Sequence, residues 1–188
     1  MPTLMSAQNG KRPVSAGEGS DDPISWLERD HAAHAALCDQ LEAIADSLPD
    51  DIDPKLCHQV LEALGEELFT HHRDEEDGLF PLLEKRALPG DNVREHLAQL
   101  SLEHATDESF ANELSEVLSE CARGGRPANP NMLGYMLRGF FESYRRHLHW
   151  ENTVLLPLAR ERLTGRDLRW LTGKMNEHRQ HRALSGRQ

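Results

Sequence analysis

The chain has 188 residues, of which 38% are hydrophobic and 28% charged, values that suit one helical domain with a wide polar face, alone or with a tail. Its formal net charge of −11 disfavours a nucleic-acid partner, because phosphates need a basic surface. No apolar run is long enough to cross a bilayer and the N-terminus lacks the apolar core of a signal peptide, so we expect a cytoplasmic protein without a membrane partner.

The first predicted helix follows a tail without hydrophobic periodicity. Residues 1–21 are rich in Gly and Ser, and we expect them to be disordered, with no function assigned. The helix begins at the capping pair Asp22-Pro23. Its inward stripe consists of Ile24, Leu27, His31, His34, Cys38, Leu41, Ile44 or Ala45, and Leu48. Two core positions are therefore histidines. We favour His31 as a metal ligand, with His34 as an alternative ligand or a hydrogen-bonding neighbour of one.

The second helix begins with the same kind of capping pair, at Asp53. Its inward stripe consists of Val60, Leu64, Leu68, His71, Glu75, Leu79 and Leu82. His71 and Glu75 lie on this face, one helical turn apart. The rival pair, His72 and Glu76, lies about 100° round the helix, nearer its flank. We therefore predict the first pair as metal ligands and the second as bystanders or hydrogen-bonding neighbours.

The third helix is predicted to begin near Asn92. Its stripe consists of Val93, Leu97, Leu100, His104, Asp107, Ala111, Leu114, Leu118 and Cys121. His104 again takes a core position and is a predicted ligand. Asp107 and Glu108, one turn later, would bind metal or orient His104, although a solvated position is favoured for Glu108.

The fourth helix is predicted to begin near Asn131, after a loop rich in Gly and Pro. Its stripe consists of Leu133, Leu137, Phe140, Tyr144, His147, Glu151, Val154 or Leu155, and Leu158. His147 and Glu151 point inward, whereas His149 points away. Tyr144 is predicted as a core residue, with a hydrogen bond to a metal-bound ligand as the alternative.

One motif occurs twice, as HHRDEEDGLFP at 71–81 and as HLHWENTVLLP at 147–157. In each copy a His is followed four residues later by a Glu and ten residues later by a Pro. Four residues make about one helical turn, so each imidazole shares a face with a carboxylate. Two such helices can form a site for two metal ions. Pro81 is expected to kink the second helix one to two turns past the ligand pair.

A shorter basic helix is predicted at about 166–181, with Leu168, Leu171 and Met175 on one side. We expect His178 and His181 on this helix to be solvated. The whole pattern predicts an all-α protein: an up-down-up-down four-helix bundle over 22–163, with a short extra C-terminal helix and tail over 164–188. The three cysteines are expected to be buried free thiols, since they form no CxxC pair.

Six inward side chains make up the predicted metal site: His31, His71, Glu75, His104, His147 and Glu151. Burying them unpaired would cost several kcal/mol per carboxylate, and bound metal would remove this cost; the competing interpretation is a metal-free His/Glu network. Imidazoles and carboxylates without a thiolate suit iron, with manganese or zinc as alternatives. With bridging carboxylates and an oxo or hydroxo bridge, each iron keeps about one open position, which indicates a reactive site.

At these residues the chain resembles the hemerythrin-like HHE cation-binding family. The similar elements are Asp30-His31, HxxxEExxLFP at 71–81, Glu103-His104 and HxxxENxxLLP at 147–157, and the resemblance covers residues 22–163. It implies a non-haem di-iron centre in an up-down-up-down bundle. The implied ligand set is His31 and His71 on one iron, His104 and His147 on the other, and Glu75 and Glu151 as bridges.

The chain departs from the oxygen-carrying members of that family. They have a fifth His on the third helix, one turn from the first, where this chain has Leu100 and Glu108. It is more similar to the branch that includes the iron–sulfur-centre repair proteins, although it has no Cys before Cys38 to match their N-terminal Cys motif. We therefore expect a di-iron protein that binds or senses O2, NO or peroxide, or handles iron, in a stress response. The alternatives are an enzyme-like centre for NO or peroxide reduction or iron–sulfur repair, and an interaction module with structural zinc.

Overall fold

The computed structural model describes residues 22–185, with side chains up to His181, so the tail expected at 1–21 lies outside the described residues. Within this range all regular secondary structure is helical. Five helices follow in order: α1 (Pro23–Ser47), α2 (54–86), α3 (Val93–Ala122), α4 (130–162) and α5 (Gly165–Ser185). None of these helices has the length and apolarity that a membrane span requires.

Side-chain caps position the starts of three helices. The Asp22 carboxylate accepts hydrogen bonds from the first backbone N–H groups of α1, and the Asp53 carboxylate does the same for α2. The predicted starts of α1 and α2 are therefore confirmed. The fourth helix begins at Pro130, one residue before the predicted start, because Asn129 caps it by accepting from the N–H of Met132.

Both α2 and α4 depart from α-helical geometry within the repeated motif. A π-helical turn occupies Glu75–Leu79 in α2 and Glu151–Leu155 in α4. Each turn starts at a motif glutamate, whose carbonyl accepts from the N–H five residues later. The proline next in sequence has no N–H and cannot continue the α-helical pattern, so the change falls upstream of it. Past the ligand pair, where a kink at Pro81 is expected, the structure has a π-helical turn that begins at Glu75 itself.

A further π-helical turn in α2 occupies Ala63–Glu67 and contains Gly65, whose backbone angles are not helical. The predicted stripes are otherwise buried, with three exceptions. Leu48 and Leu158 are half-buried, and at the alternative pair in α4 Leu155 is buried while Val154 is exposed. The expectation of buried free thiols is confirmed for Cys38, Cys57 and Cys121.

The core is two apolar clusters separated by a polar layer. One cluster includes Leu37 and Leu41 of α1, Val60 and Leu68 of α2, Ala111 and Leu118 of α3, and Leu137 and Phe140 of α4. The other includes Ile24 and Leu27 of α1, Leu79 and Leu83 of α2, Val93 and Leu100 of α3, and Leu155 and Ala159 of α4. Along every one of these four helices, the inward histidines lie between the two clusters.

The C-terminal helix α5 is longer than predicted and packs against α1 and α2. Leu171 and Met175 are fully buried in the second cluster. The prediction that His178 is solvated is wrong: its Nδ1 lies 2.7 Å from a carboxylate oxygen of Asp74, and both residues are buried. His181 is exposed, as predicted.

Asp74 also ties α5 to the rest of the protein through a second residue. Its other oxygen accepts from Arg179 at 2.6 Å, and a second nitrogen of Arg179 donates to Asp30 of α1 at 2.9 Å. Asp30 directly precedes His31 and Asp74 directly precedes Glu75 in the sequence. The polar contacts of α5 are thus next to two predicted metal ligands.

Replacing Gly78 with Ala should lower stability, because α5 passes directly over this residue. An added Cβ would lie 2.7 Å from Cδ1 of the fully buried Leu171. We expect a loss of about 1–3 kcal/mol in the free energy of unfolding, the usual cost of overpacking, measured by urea denaturation. The matched control is Gly173→Ala on α5, where the Cβ would meet nothing within 4 Å and helix propensity predicts a gain of up to about 1 kcal/mol. Equal stability of both variants would contradict this packing.

Candidate metal centre

The structure brings all six predicted ligand residues together in the polar layer. They form two overlapping groups whose ligand atoms lie within 4.8 Å of one another. The first group is His31, His71, Glu75 and Glu151; the second is Glu75, His104, His147 and Glu151. Each of the helices α1 to α4 supplies one His, and the two Glu belong to both groups. No member is more than 4% exposed to solvent.

Each carboxylate faces imidazoles of both groups. Glu75 has one oxygen 3.6 Å from Nε2 of His31, and its other oxygen lies 3.3 Å from Nε2 of His104. Glu151 has one oxygen 3.3 Å from Nε2 of His31, and its other oxygen lies 3.0 Å from Nε2 of His147. Such an arrangement lets either carboxylate bridge two cations.

The atoms that face the middle of the site have no hydrogen-bond partners among the described residues. These atoms are Nε2 of all four histidines and both carboxylate oxygens of Glu75 and Glu151. Buried polar atoms in folded proteins are nearly always paired, and an unpaired one costs about 1–3 kcal/mol, more if charged. Imidazole nitrogens and carboxylate oxygens are also the donors that iron, manganese and zinc accept. The residues present therefore fit a pair of bound metal ions.

Hydrogen bonds outside the site orient two of the imidazoles. Nδ1 of His31 lies 2.8 Å from Oδ1 of Asn152, and Nδ1 of His104 lies 2.8 Å from a carboxylate oxygen of Glu76. Both partner atoms are acceptors, so each Nδ1 carries the hydrogen when the ring is neutral. The lone pair of each Nε2 then faces the site, as metal ligation requires.

No role is predicted from the sequence for Asn152, whereas Glu76 is predicted as a bystander or a hydrogen-bonding neighbour, and the structure has it in the second role. A signal was present, because these two residues directly follow Glu75 and Glu151 in the two motif copies. In each copy the residue after the Glu offers an acceptor oxygen to a His of another helix.

The other candidate neighbours on α3 differ from their predicted roles. Asp107 belongs to neither group, and its carboxylate lies 3.5 Å from Nδ1 of His147. A carboxylate oxygen of Glu103 lies 3.3 Å from the same nitrogen. Burial raises the pKa of Asp107 to about 6. Glu108 is half-buried rather than solvated, and its carboxylate lies 3.1 Å from Nδ1 of His72.

His72 lies inside the protein, because α3 covers the flank of α2 on which it lies. Its ring is 1% exposed and stacks on the ring of His104, with centroids 4.1 Å apart and planes within 11°. Neither metal-competent group includes it. His72 therefore forms a wall of the site behind His104, whereas His149 is exposed, as predicted.

His34 and Tyr144 form a second wall. The Tyr144 hydroxyl lies 2.9 Å from Nδ1 of His34, whose ring meets that of His71 edge-on at 4.8 Å. Burial lowers the pKa of His34 to about 3 and raises the pKa of Tyr144. The imidazole is therefore neutral and the phenol protonated, and a hydrogen bond joins the two side chains. His34 is a packing neighbour of His71 and lies outside both groups.

Carboxylates control the protonation of the central histidines. Burial would lower the pKa of His31, but Glu75 and Glu151 outweigh it and raise the pKa to about 9. Burial also opposes the charged form of His104, yet Glu151, Glu75 and Glu76 raise its pKa to about 12. Without metal, His31 and His104 are thus protonated at pH 7, and their positive charges face the buried carboxylates.

Metal uptake at pH 7 should release protons, because His31 and His104 must lose theirs before Nε2 can bind a cation. Their raised pKa values mean that proton competition weakens as pH rises, so metal affinity should increase from pH 6 towards pH 9. We expect about one to two protons per chain on adding ferrous ion without oxygen, measured with a pH indicator in weak buffer. Protein already loaded with metal is the control. Uptake without any proton release would contradict this protonation pattern.

An all-helical fold with two overlapping groups of buried His and Glu is typical of a protein that binds metal cations. The family model for the hemerythrin HHE cation-binding domain matches residues 22–159. The chain therefore belongs to the hemerythrin HHE cation-binding family, whose members are helical bundles that bind metal cations. No curated protein and no solved structure gives a significant match to the chain.

Proposed function

We propose that the chain binds two iron ions and uses them to bind or sense O2, NO or peroxide, or to handle iron, under oxidative or nitrosative stress. Under this proposal His31 and His71 hold one ion, His104 and His147 hold the other, and Glu75 and Glu151 bridge them. The observation that carries it is the set of buried, unpaired Nε2 and carboxylate oxygen atoms that converge from four helices.

We further propose the up-down-up-down bundle for residues 22–163, with 164–188 as an added helix and tail. Support comes from the order in which the helices meet the two apolar clusters. In α1 and α3 the cluster with Leu27 and Leu100 precedes the histidine, whereas in α2 and α4 the cluster with Leu68 and Phe140 precedes it. Four helices that alternate in this way run in alternating directions.

Iron is favoured over zinc by the chemistry that the site would support, and manganese is the alternative. All donors are nitrogen or oxygen, and the nearest cysteine on α1, Cys38, belongs to an apolar cluster. Burial raises the pKa of Cys38 to about 12, so no thiolate competes for the metal. Bound iron would supply one-electron chemistry towards a small molecule, which zinc lacks.

The protein itself contributes enclosure and orientation. His72 and the His34–Tyr144 pair cover the ligands with buried side chains, and the rings of His72 and Tyr144 adjoin with centroids 6.3 Å apart. Asn152 and Glu76 hold two imidazoles in the tautomer that leaves Nε2 available. So closed a site favours a diatomic molecule or peroxide over a bulky substrate.

The proposal is tested by titrating the iron-loaded protein separately with O2, NO and hydrogen peroxide while recording its absorption spectrum. At least one of the three should change the near-ultraviolet and visible bands in a stoichiometric titration. Zinc-loaded protein, which has no redox chemistry, is the control and should show no change. Iron-loaded protein that responds to none of the three would contradict a role in binding or sensing these molecules and leave iron handling as the function. Multiple turnovers with a reductant, or restoration of iron–sulfur clusters, would instead favour the enzyme-like alternative.

A further inference from the structure

A cleft between α3 and α4 leads from the surface to the outer side of His147. Its volume is about 340 Å³, and besides His147 and Leu100 it is lined by His96, Gln99, Glu103, Ser143, Arg146 and Trp150. Sites for small organic molecules have volumes of about 300–1,000 Å³, so this cleft has room for one planar ring system. The cleft is distinct from the candidate metal centre, since His147 is the one residue of its lining that also belongs to a metal-competent group.

One wall of the cleft is aromatic. The rings of His96 on α3 and Trp150 on α4 lie with centroids 5.2 Å apart and planes inclined by 45°. Two rings from different helices, both reached from solvent, offer a surface on which a flat heteroaromatic ring can stack. Such stacking contributes about 1–3 kcal/mol per ring in other proteins.

The cleft also contains an arginine without an ion-pair partner among the described residues. Arg146 is exposed and has no ion pair among residues 22–181, whereas Arg138 and Arg145 on the same helix pair with Asp46 and Asp39. A guanidinium binds a phosphate through two parallel hydrogen bonds. The Ser143 hydroxyl, one turn earlier, lies in the same cleft and can donate a further hydrogen bond.

Two features limit the ligand to a small molecule. One free guanidinium in a chain of net charge −11 cannot follow a polymer of phosphates. The carboxylate of Glu103 would repel a second anionic group, although its oxygen lies 3.3 Å from Nδ1 of His147 and is thus turned towards the floor.

We propose that this cleft binds a small planar heteroaromatic phosphate, with its ring on His96 and Trp150 and its phosphate on Arg146. The ligand would lie against the outer face of His147, whose Nε2 is 3.0 Å from Glu151 inside the metal site. One imidazole therefore separates the cleft from the proposed centre. The proposal does not depend on bound metal.

Flavin mononucleotide is the test ligand, titrated into the full chain as purified while flavin fluorescence is recorded. We expect saturable binding with one flavin per chain. Riboflavin, which has the same ring without the phosphate, should bind about tenfold more weakly, and Arg146→Gln should reduce the affinity for the nucleotide to that of riboflavin. Trp150→Leu should weaken both ligands about tenfold or more.

Matched variants on α5 separate these effects from changes in charge or fluorescence. Arg169→Gln removes an exposed arginine and Trp170→Leu removes an exposed indole, both outside the cleft, and neither should change the affinity. The proposal is overturned if flavin mononucleotide does not bind, or if Arg146→Gln and Trp150→Leu bind it as tightly as the unaltered chain. Iron content is measured on the same samples. Absence of flavin binding therefore does not contradict the proposed metal centre, and absence of iron does not contradict the proposed cleft.

Discussion

Glu151→Gln should leave the protein unable to retain either metal ion. Glu151 belongs to both ligand groups, with one oxygen 3.3 Å from Nε2 of His31 and the other 3.0 Å from Nε2 of His147. The amide keeps the shape but removes a negative charge and one acceptor oxygen, so both proposed sites lose a ligand. Changes to residues that merely orient ligands cost about 10–100-fold in metal affinity, so we expect a loss above about 100-fold. Elemental analysis after dialysis against a weak chelator measures it.

The control for this variant lies on the same helix. Glu142→Gln makes the same change of charge at an exposed position, nine residues earlier in α4, and should keep the full metal content. Circular dichroism of both variants shows whether they remain folded. A folded Glu151→Gln protein with unchanged iron would contradict the bridging role. Loss of thermal stability without any change in iron or in redox response would favour the structural-zinc alternative.

Asp74→Asn should destabilise the protein by about 3 kcal/mol through the contacts that hold α5. The carboxylate of Asp74 is 0% exposed and accepts from His178 at 2.7 Å and from Arg179 at 2.6 Å. Removing one partner of a buried charged pair typically costs about 3–5 kcal/mol. We take the lower end, because the side chain of Arg179 is 33% exposed and water can partly replace its partner. Urea denaturation measures the change in the free energy of unfolding.

Asp77→Asn is the matched control, since it makes the same substitution three residues later in α2. Asp77 is 54% exposed and lies 3.8 Å from Nε2 of His178, so its loss should cost about 1 kcal/mol or less. Neither aspartate belongs to the metal-competent groups, and both variants should keep their iron. Equal losses of stability in the two variants would contradict the special role of the buried carboxylate.

Helical periodicity predicted most of the site because it reports which face of a helix is buried. His31, His71, His104 and His147 fall in register with apolar residues on four separate helices, and the structure buries all of them. The same reasoning failed for His72, because a helical wheel with one inward stripe places it on the flank. In the folded protein α3 packs against that flank, and the ring of His72 stacks on His104.

The contacts that orient the site could not be read from local patterns. His31 meets Asn152 and Asp74 meets His178, pairs separated by more than 100 residues, so these contacts exist only once the helices have packed. The polar sequence of α5 also did not indicate that His178 is buried and hydrogen-bonded to a carboxylate of another helix. The π-helical turn begins at Glu75 and not at Pro81 for a local reason. Pro81 has no N–H to donate to a carbonyl one turn earlier, so the hydrogen-bond pattern changes upstream of it.

The central claim is that two iron ions lie between these particular side chains, and an anomalous difference map at the iron absorption edge tests it most directly. Crystals of the full chain, purified from iron-replete cells, should give two strong peaks. One peak should lie between His31 and His71 and the other between His104 and His147, each within reach of Glu75 and Glu151. A single peak, peaks outside these two groups, or a site without iron would contradict the claim.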